Sequence, residues 1–323
     1  MAVNANTNET YEVSTIREDL QDALISISPT DTPFMTAAGR RNIDNTFFEW
    51  GVVSLAATDT SNRVAEGEAS PGNDAPTNAV RQGNYAQISD KVVEVSDTAN
   101  AVNGAGDAQT LAKQIAYKLK EMKRDMESML LDNVAASAGS SGTARQTAGL
   151  PAWLKTNADR GTGGADGTTS GTGDAGYPDA AATDGTQREL TEALLKSVIA
   201  SCWEEGAEPS IVMVGALAKQ KISTFDGNAT RFKEAEDSKI NAAVDIYISD
   251  FGELQIVPNR FQRGRDVFVL DPSYARVGYL KNTTQTELAR TGHSERRLIS
   301  AEYGLQVDNE AAHGIIADID PSL

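Results

Sequence analysis

The longest helical pattern in the sequence is DAQTLAKQIAYKLKEMKRDMESMLLDNVAASA, residues 107–138. Its apolar side chains recur every three or four residues, which places them on one face of an α-helix and makes them core candidates. They are Leu111, Ile115, Leu119, Met122, Met126, Met129, Leu130 and Val134. The other face carries Lys113, Lys120, Lys123, Arg124 and Glu127. With Asp107 as a cap and Gly139 as a stop, the pattern predicts a rod of about 31 residues, roughly 46 Å long.

A β-hairpin is predicted immediately before this helix. Residues 46–55 contain FFEWGVVSL, and residues 79–95 read AVRQGNYAQISDKVVEV, which indicates one or two further strands. The intervening stretch 56–78 is rich in Gly, Pro, Ala, Asn and Asp and offers little core material. Strands rise about 3.3 Å per residue, and an isolated two-stranded hairpin is only marginally stable. We therefore interpret this segment as a projecting arm that rests on another subunit.

The N-terminal residues form a second predicted arm. Residues 1–10 are polar, and a capping box at Thr15 and Glu18 then predicts a helix that Pro29 ends. The apolar stripe of that helix consists of Ile16, Leu20, Leu24 and Ile27.

The chain after the long helix mixes short helices and strands. Residues 155–187 are mostly Gly, Thr, Ala and Asp, which predicts a flexible surface loop with few core contacts. Helices are predicted at 187–205 and 216–223. Strands are predicted at 211–214, 244–248, 254–257, 267–270 and 276–280. Strict alternation at 299–307 predicts a half-buried strand, and a turn at 308–310 leads to a last strand at 311–319. The fold class is therefore α+β.

Composition excludes several classes of function. The 323 residues contain 29 basic and 46 acidic side chains, a net charge of −17, which disfavours a protein that grips DNA. The single cysteine, Cys202, excludes an intramolecular disulfide and suits a reducing compartment. We find neither a signal peptide nor an apolar run near the ~20 residues of a membrane span. We therefore expect a soluble protein that is made in the cytoplasm.

Motifs for catalysis or cofactor binding are weak. His293 and His313 lack a second ligand at metal-binding spacing, and Cys202 lies on an amphipathic helix, so we expect a buried thiol. Gly171, Gly173 and Gly176 match GxGxxG but lie in a loop instead of between a strand and a helix. We predict no enzyme activity, no cofactor and no metal.

The order of these segments resembles the major capsid proteins of tailed bacteriophages, the Hong Kong 97-type fold. Short motifs add to the resemblance: PTDTPF (29–34), EW (49–50), EG (66–67), KRDME (123–127), DFG (250–252), LDP (270–272) and TG (291–292). The resemblance covers roughly 11–320, with 155–187 as a departure. It implies an N-arm (1–45), an extended loop (46–90), a peripheral domain (91–154) with spine helix 107–138, an insertion (155–187), an axial domain (188–290) and returning peripheral strands (291–323).

The resemblance implies a shell protein that self-assembles as hexamers and pentamers into an icosahedral head around double-stranded DNA, located in the virion. Implied partners are other copies of the chain, weakly contacted DNA, a portal and a decoration protein. Since the sequence starts near the N-arm, the resemblance implies either a separate scaffolding protein or none. Three alternatives stay open: an encapsulin-like nanocompartment shell of the same fold, a hydrolase using acidic residues, and a tail or decoration protein.

Candidate intersubunit contacts are Phe34, Trp50, Arg63, Glu66 and Glu68. For Trp50, packing at the base of the hairpin is an equal alternative. Some shells of this fold are cross-linked by a lysine of the extended loop. Here no lysine precedes Lys91, so we expect non-covalent contacts alone.

Overall fold

The computed structural model describes residues 30–67, 75–102, 110–172, 175–225, 246–290 and 292–320. The predicted helix after Thr15 and part of the hairpin tip lie outside these ranges. The helices are α1 (Pro33–Ala37), α2 (Asp97–Ala101), α3 (Thr110–Leu131), α4 (Leu150–Trp153), α5 (Glu192–Glu204) and α6 (Ala216–Ile222). The strands are β1 (Gly39–Asn42), β2 (Phe47–Val52), β3 (Val80–Tyr85), β4 (Gln87–Ser96), β5 (Ala158–Asp159), β6 (Thr168–Thr169), β7 (Pro178–Ala180), β8 (Ile211–Val214), β9 (Ile246–Ser249), β10 (Gly252–Pro258), β11 (Val267–Leu270), β12 (Ala275–Glu287), β13 (Ser294–Val307) and β14 (Gly314–Ile316). The mixed helix and sheet content confirms the predicted α+β class.

Helix α3 is shorter than predicted. Its 22 residues span about 33 Å, and the predicted end near Gly139 is wrong. The helix stops at Leu131 because the next two side chains bind backbone groups. The Asn133 amide donates to the Asp132 carboxylate over 2.8 Å, and the Asn133 side chain pairs with both backbone groups of Ala182. Such bonds compete with the helical ladder, and here they draw the chain towards the 155–187 segment.

A four-stranded sheet packs beneath α3. Its order is β1-β12-β13-β4, with β1 parallel to β12 and the other pairs antiparallel. The predicted inward positions of β13 are all buried: Ile299, Ala301, Tyr303, Leu305 and Val307. They form one core with Met122, Met126 and Leu130 of α3. Leu111, Ile115 and Leu119 of the predicted apolar stripe are partly buried against the same core.

A six-stranded sheet, ordered β5-β14-β11-β8-β10-β9, forms the second layer. Helices α5 and α6 cover one face through a core that includes Leu195, Ile199 and Ile222. The last two strands lie in different sheets: β14 lies between β5 and β11, whereas β13 stays in the four-stranded sheet. The short turn Glu310–Ala312 carries the chain from one sheet to the other.

Residues 155–187 are integrated into the body of the protein, so the prediction of a structureless loop is wrong. Strand β5 pairs with β14, and β6 pairs with β7. A Cβ added at Gly161 would lie 2.1 Å from the Thr186 carbonyl oxygen, and one at Gly167 would lie 2.6 Å from that of Ala180. These glycines therefore permit close backbone packing, whereas the composition alone indicated flexibility.

Candidate assembly interface

The predicted hairpin is present. Strands β2 and β3 are antiparallel, with Phe47 opposite Tyr85 at one end and Val52 opposite Val80 at the other. Beyond them, the described residues 53–67 and 75–79 form no strand or helix and are exposed. Three of them have large apolar side chains: Val53, Leu55 and Val64 expose 56%, 84% and 58% of their surface. An arm with apolar side chains held in solvent is typical of a surface that another molecule covers.

The base of the hairpin packs on its own subunit. The half-buried Trp50 ring lies 5.8 Å from Phe48 and 5.4 Å from Trp153 of α4. The structure thus places Trp50 in the packing role that the sequence left open as an alternative.

A second contact braces the hairpin from the side. The Gly83 amide of β3 donates to the Gly176 carbonyl oxygen, and the Gly176 amide donates to that of Arg81, both over 2.8 Å. Beside this pair, the Tyr177 ring lies 5.2 Å from Tyr85 and 5.9 Å from Phe47. Sequence analysis missed this role of 175–177, although an aromatic residue inside a Gly-rich stretch was a usable signal.

The other predicted contact residues separate into two groups. Arg63 and Glu66 are exposed on the arm, and no ion pair joins either to another described residue. Phe34 is only 1% exposed and belongs to the subunit core, so its side chain serves internal packing. Glu68 lies outside the described residues.

Glu127 is a residue that sequence analysis assigned to the wrong environment. Predicted on the charged face of α3, it is fully buried. Its carboxylate accepts hydrogen bonds from the Phe34 and Met35 amides and from the Asn259 side chain, over 2.7, 2.8 and 2.7 Å. Burial raises its pKa, an effect these three bonds oppose. Its position between Met126 and Leu130, on the edge of the apolar stripe, was the available signal.

Basic side chains on and beside α3 are partly neutralised within the subunit. Lys91 of β4 lies 2.6 Å from Asp125, and Lys118 lies 2.7 Å from Glu121, both acids being on α3. Lys120 and Lys123 on the same helix are exposed.

The groups considered for catalysis are individually buried or dispersed. His313 is fully buried, its Nδ1 accepts from the Asp271 amide, and burial lowers its pKa to about 4. Burial raises the pKa of Cys202 to about 12, so the thiol stays protonated. In the described ranges, no cluster of three or more His, Cys, Asp or Glu side chains could hold a metal ion.

None of the helices built from the described residues is both long and apolar enough to cross a membrane.

Comparison with known proteins matches this architecture to phage shells. A model of the SU10 major capsid protein family matches residues 3–320. The major capsid protein of Escherichia phage Phieco32 is 29% identical over 327 residues, which cover 90% of each chain. The capsid of cyanophage A-1(L) superposes with a TM-score of 0.63 at 12% identity, covering 96% of this chain and 98% of that one. The holo-SrpI encapsulin of Synechococcus elongatus PCC 7942 superposes with a TM-score of 0.54 at 12% identity, covering 93% and 94%.

The fold is therefore that of the Hong Kong 97-type capsid proteins, as the resemblance implied. The chain belongs to the SU10 major capsid protein family. It is a structural protein of the phage virion, where it forms the capsid shell.

Proposed function

We propose that the protein assembles as hexamers and pentamers into an icosahedral head that encloses double-stranded DNA. The observation that carries this proposal is the braced hairpin, whose exposed Val53, Leu55 and Val64 need a covering surface. A neighbouring copy would cover the arm, and repetition of many such contacts would hold the shell together, although each is individually weak.

The charge of the chain suits a container for DNA. A net charge of −17 disfavours tight binding of a polyanion, so packaged DNA would touch the wall weakly and without sequence preference. Exposed Lys120 and Lys123 of α3 would supply the few attractive contacts. A separate scaffolding protein, a portal and a decoration protein are further proposed partners.

Electron cryomicroscopy of particles that contain this chain tests the proposal. We expect a closed lattice of six-fold and five-fold units with layered DNA density inside. A tubular or open assembly would contradict the icosahedral head. The second candidate, an encapsulin-like nanocompartment, is favoured by the similarity to holo-SrpI, and particles filled with protein and free of DNA would support it instead.

A further inference from the structure

One face of the six-stranded sheet is left partly uncovered. At β8 and β11 this face is buried against the α3 side of the molecule, as Met213 and Phe268 show. At β9 and β10 it opens to solvent. Ile246 and Ile248 of β9 expose 52% and 39% of their surface, and they lie directly opposite Gln255 and Glu253 of β10.

The uncovered face continues into a groove beside α1. The groove has a volume of about 520 Å³. Its walls include Pro33 and Ala37 of α1 on one side and Ile211, Gln255 and Val257 of the sheet on the other. Thr30, the first described residue, also lines this groove, so the preceding chain enters the described structure at its edge.

We propose that residues 15–28 of the same subunit cover this groove and the adjoining face of β9 and β10. Their sequence carries the apolar stripe Ile16, Leu20, Leu24 and Ile27, which matches an apolar surface in need of a cover. Only Pro29 lies between this segment and Thr30. Because this connection is so short, the segment that covers the groove belongs to the same subunit as the groove. The hairpin arm, in contrast, projects away from its subunit.

The reach of the chain agrees with this placement. Leu24 is six positions before Thr30, a chain length that spans at most about 20 Å. Neighbouring strands are about 4.8 Å apart, so the segment can cross β8, β10 and β9.

A cysteine pair in the full chain tests the proposal directly. Leu24→Cys combined with Gln255→Cys places one thiol on the apolar stripe and one on the exposed sheet face. The native Cys202 is buried and does not compete. The control pair, Asp22→Cys with Gln255→Cys, carries its first thiol on the opposite side of the predicted helix. Under mild oxidation we expect the first pair to form at least ten times more disulfide than the control, all of it within one chain on a non-reducing gel.

Two gel outcomes would overturn the proposal. A covalent dimer would place the segment on a neighbouring copy, and equal disulfide formation by both pairs would show that no fixed face is docked.

Hydrogen exchange gives a second measurement that needs no new disulfide. Leu20→Asp with Leu24→Asp should speed amide exchange in β9 and β10 at least tenfold, whereas Asp22→Asn should not, and unchanged exchange in the double variant would also refute the docking.

Discussion

The Glu127 carboxylate lies 2.7 Å from the backbone amide of Phe34, a residue 93 positions earlier in the chain. The same carboxylate oxygen also accepts from Asn259 at the end of β10. One buried side chain of α3 therefore joins the first described helix to the six-stranded sheet. Glu127 thus anchors the first described helix to the body of the subunit.

Replacing this carboxylate tests its structural role. Glu127→Gln keeps the size of the side chain but offers one acceptor oxygen where the carboxylate has two, so a buried amide loses its partner. We expect the free energy of unfolding to fall by about 1–3 kcal/mol, measured by denaturant titration. The control Glu121→Gln, on the same helix and paired with Lys118 near the surface, should cost less than about 1 kcal/mol. Equal effects of the two changes would contradict the anchoring role.

The exposed apolar residues of the hairpin arm give the second prediction. Leu55→Asp should prevent shell formation because it puts a charge where a neighbouring copy is expected to bury an 84%-exposed side chain. The neighbouring exposed Ser54→Asp adds the same charge outside the apolar set and should assemble normally. Sedimentation and negative-stain micrographs provide the measurement.

Deletion of 57–77 should likewise leave folded subunits without shells, and normal heads from that deletion would refute the role of the arm.

The brace formed by 175–177 predicts that the Gly-rich segment is structural. Tyr177→Ala removes a ring that contacts both Tyr85 and Phe47 and should lower stability by about 2–4 kcal/mol. Tyr177→Phe keeps the ring and serves as the control.

Replacement of 155–187 by a short Gly-Ser linker tests the whole segment. The composition alone predicts that this change is harmless, but it should cause a large drop in melting temperature because β5 and the brace are lost together. A melting temperature within a degree of the parent's would show instead that 155–187 is the flexible surface loop that its composition predicts.

Local sequence signals predicted elements that are decided locally. The strand Val267–Leu270 is an example: its four consecutive apolar residues predicted a strand, and all four are buried. The end of α3 was not predictable in this way, because Asn133 stops the helix through a partner 49 positions away. The sheet that β14 joins was not predictable for a similar reason, since its neighbours β5 and β11 are set by long-range pairing. Phe34, a candidate intersubunit contact in the predicted N-arm, is buried in the subunit core, and the sequence does not display the packing that buries it.

The buried carboxyl of Asp266 gives a pH prediction. Asp266 is 1% exposed, and burial raises its pKa to about 6 despite Arg263 at 3.2 Å. A raised carboxyl pKa means that the folded state binds more protons than the unfolded state, so this group's contribution to stability grows as the pH falls through 6. The neutral Asp266→Asn avoids the cost of ionisation. Its advantage over the parent should therefore be about 1–2 kcal/mol larger at pH 7.5 than at pH 5, measured by denaturant titration.

The neighbouring Asp184 separates this effect from a general pH response. Ion pairs and hydrogen bonds with Arg263 lower the pKa of Asp184, so its stabilising contribution is lost only in more acidic solution. Asp184 also shares Arg263 with Asp266, and its charge contributes to the raised pKa of Asp266. Asp184→Asn should therefore reduce the stability difference between pH 7.5 and pH 5, but by less than Asp266→Asn. If both variants change that difference equally, Asp266 is not the group responsible.

The remaining prediction concerns covalent cross-linking between subunits. An isopeptide bond requires an uncharged lysine amine next to a carboxamide and a base. Lys91, the first lysine in the sequence, lies on β4 with its amine 2.6 Å from Asp125 of its own subunit. This ion pair holds the amine against its own subunit, so the contact has to break before the amine could reach a carboxamide of another copy. Mature particles boiled in detergent should therefore give one band near 34.3 kDa on a denaturing gel. The band should be the same for Lys91→Arg particles, and a ladder of multimers that disappears in that variant would prove the prediction wrong.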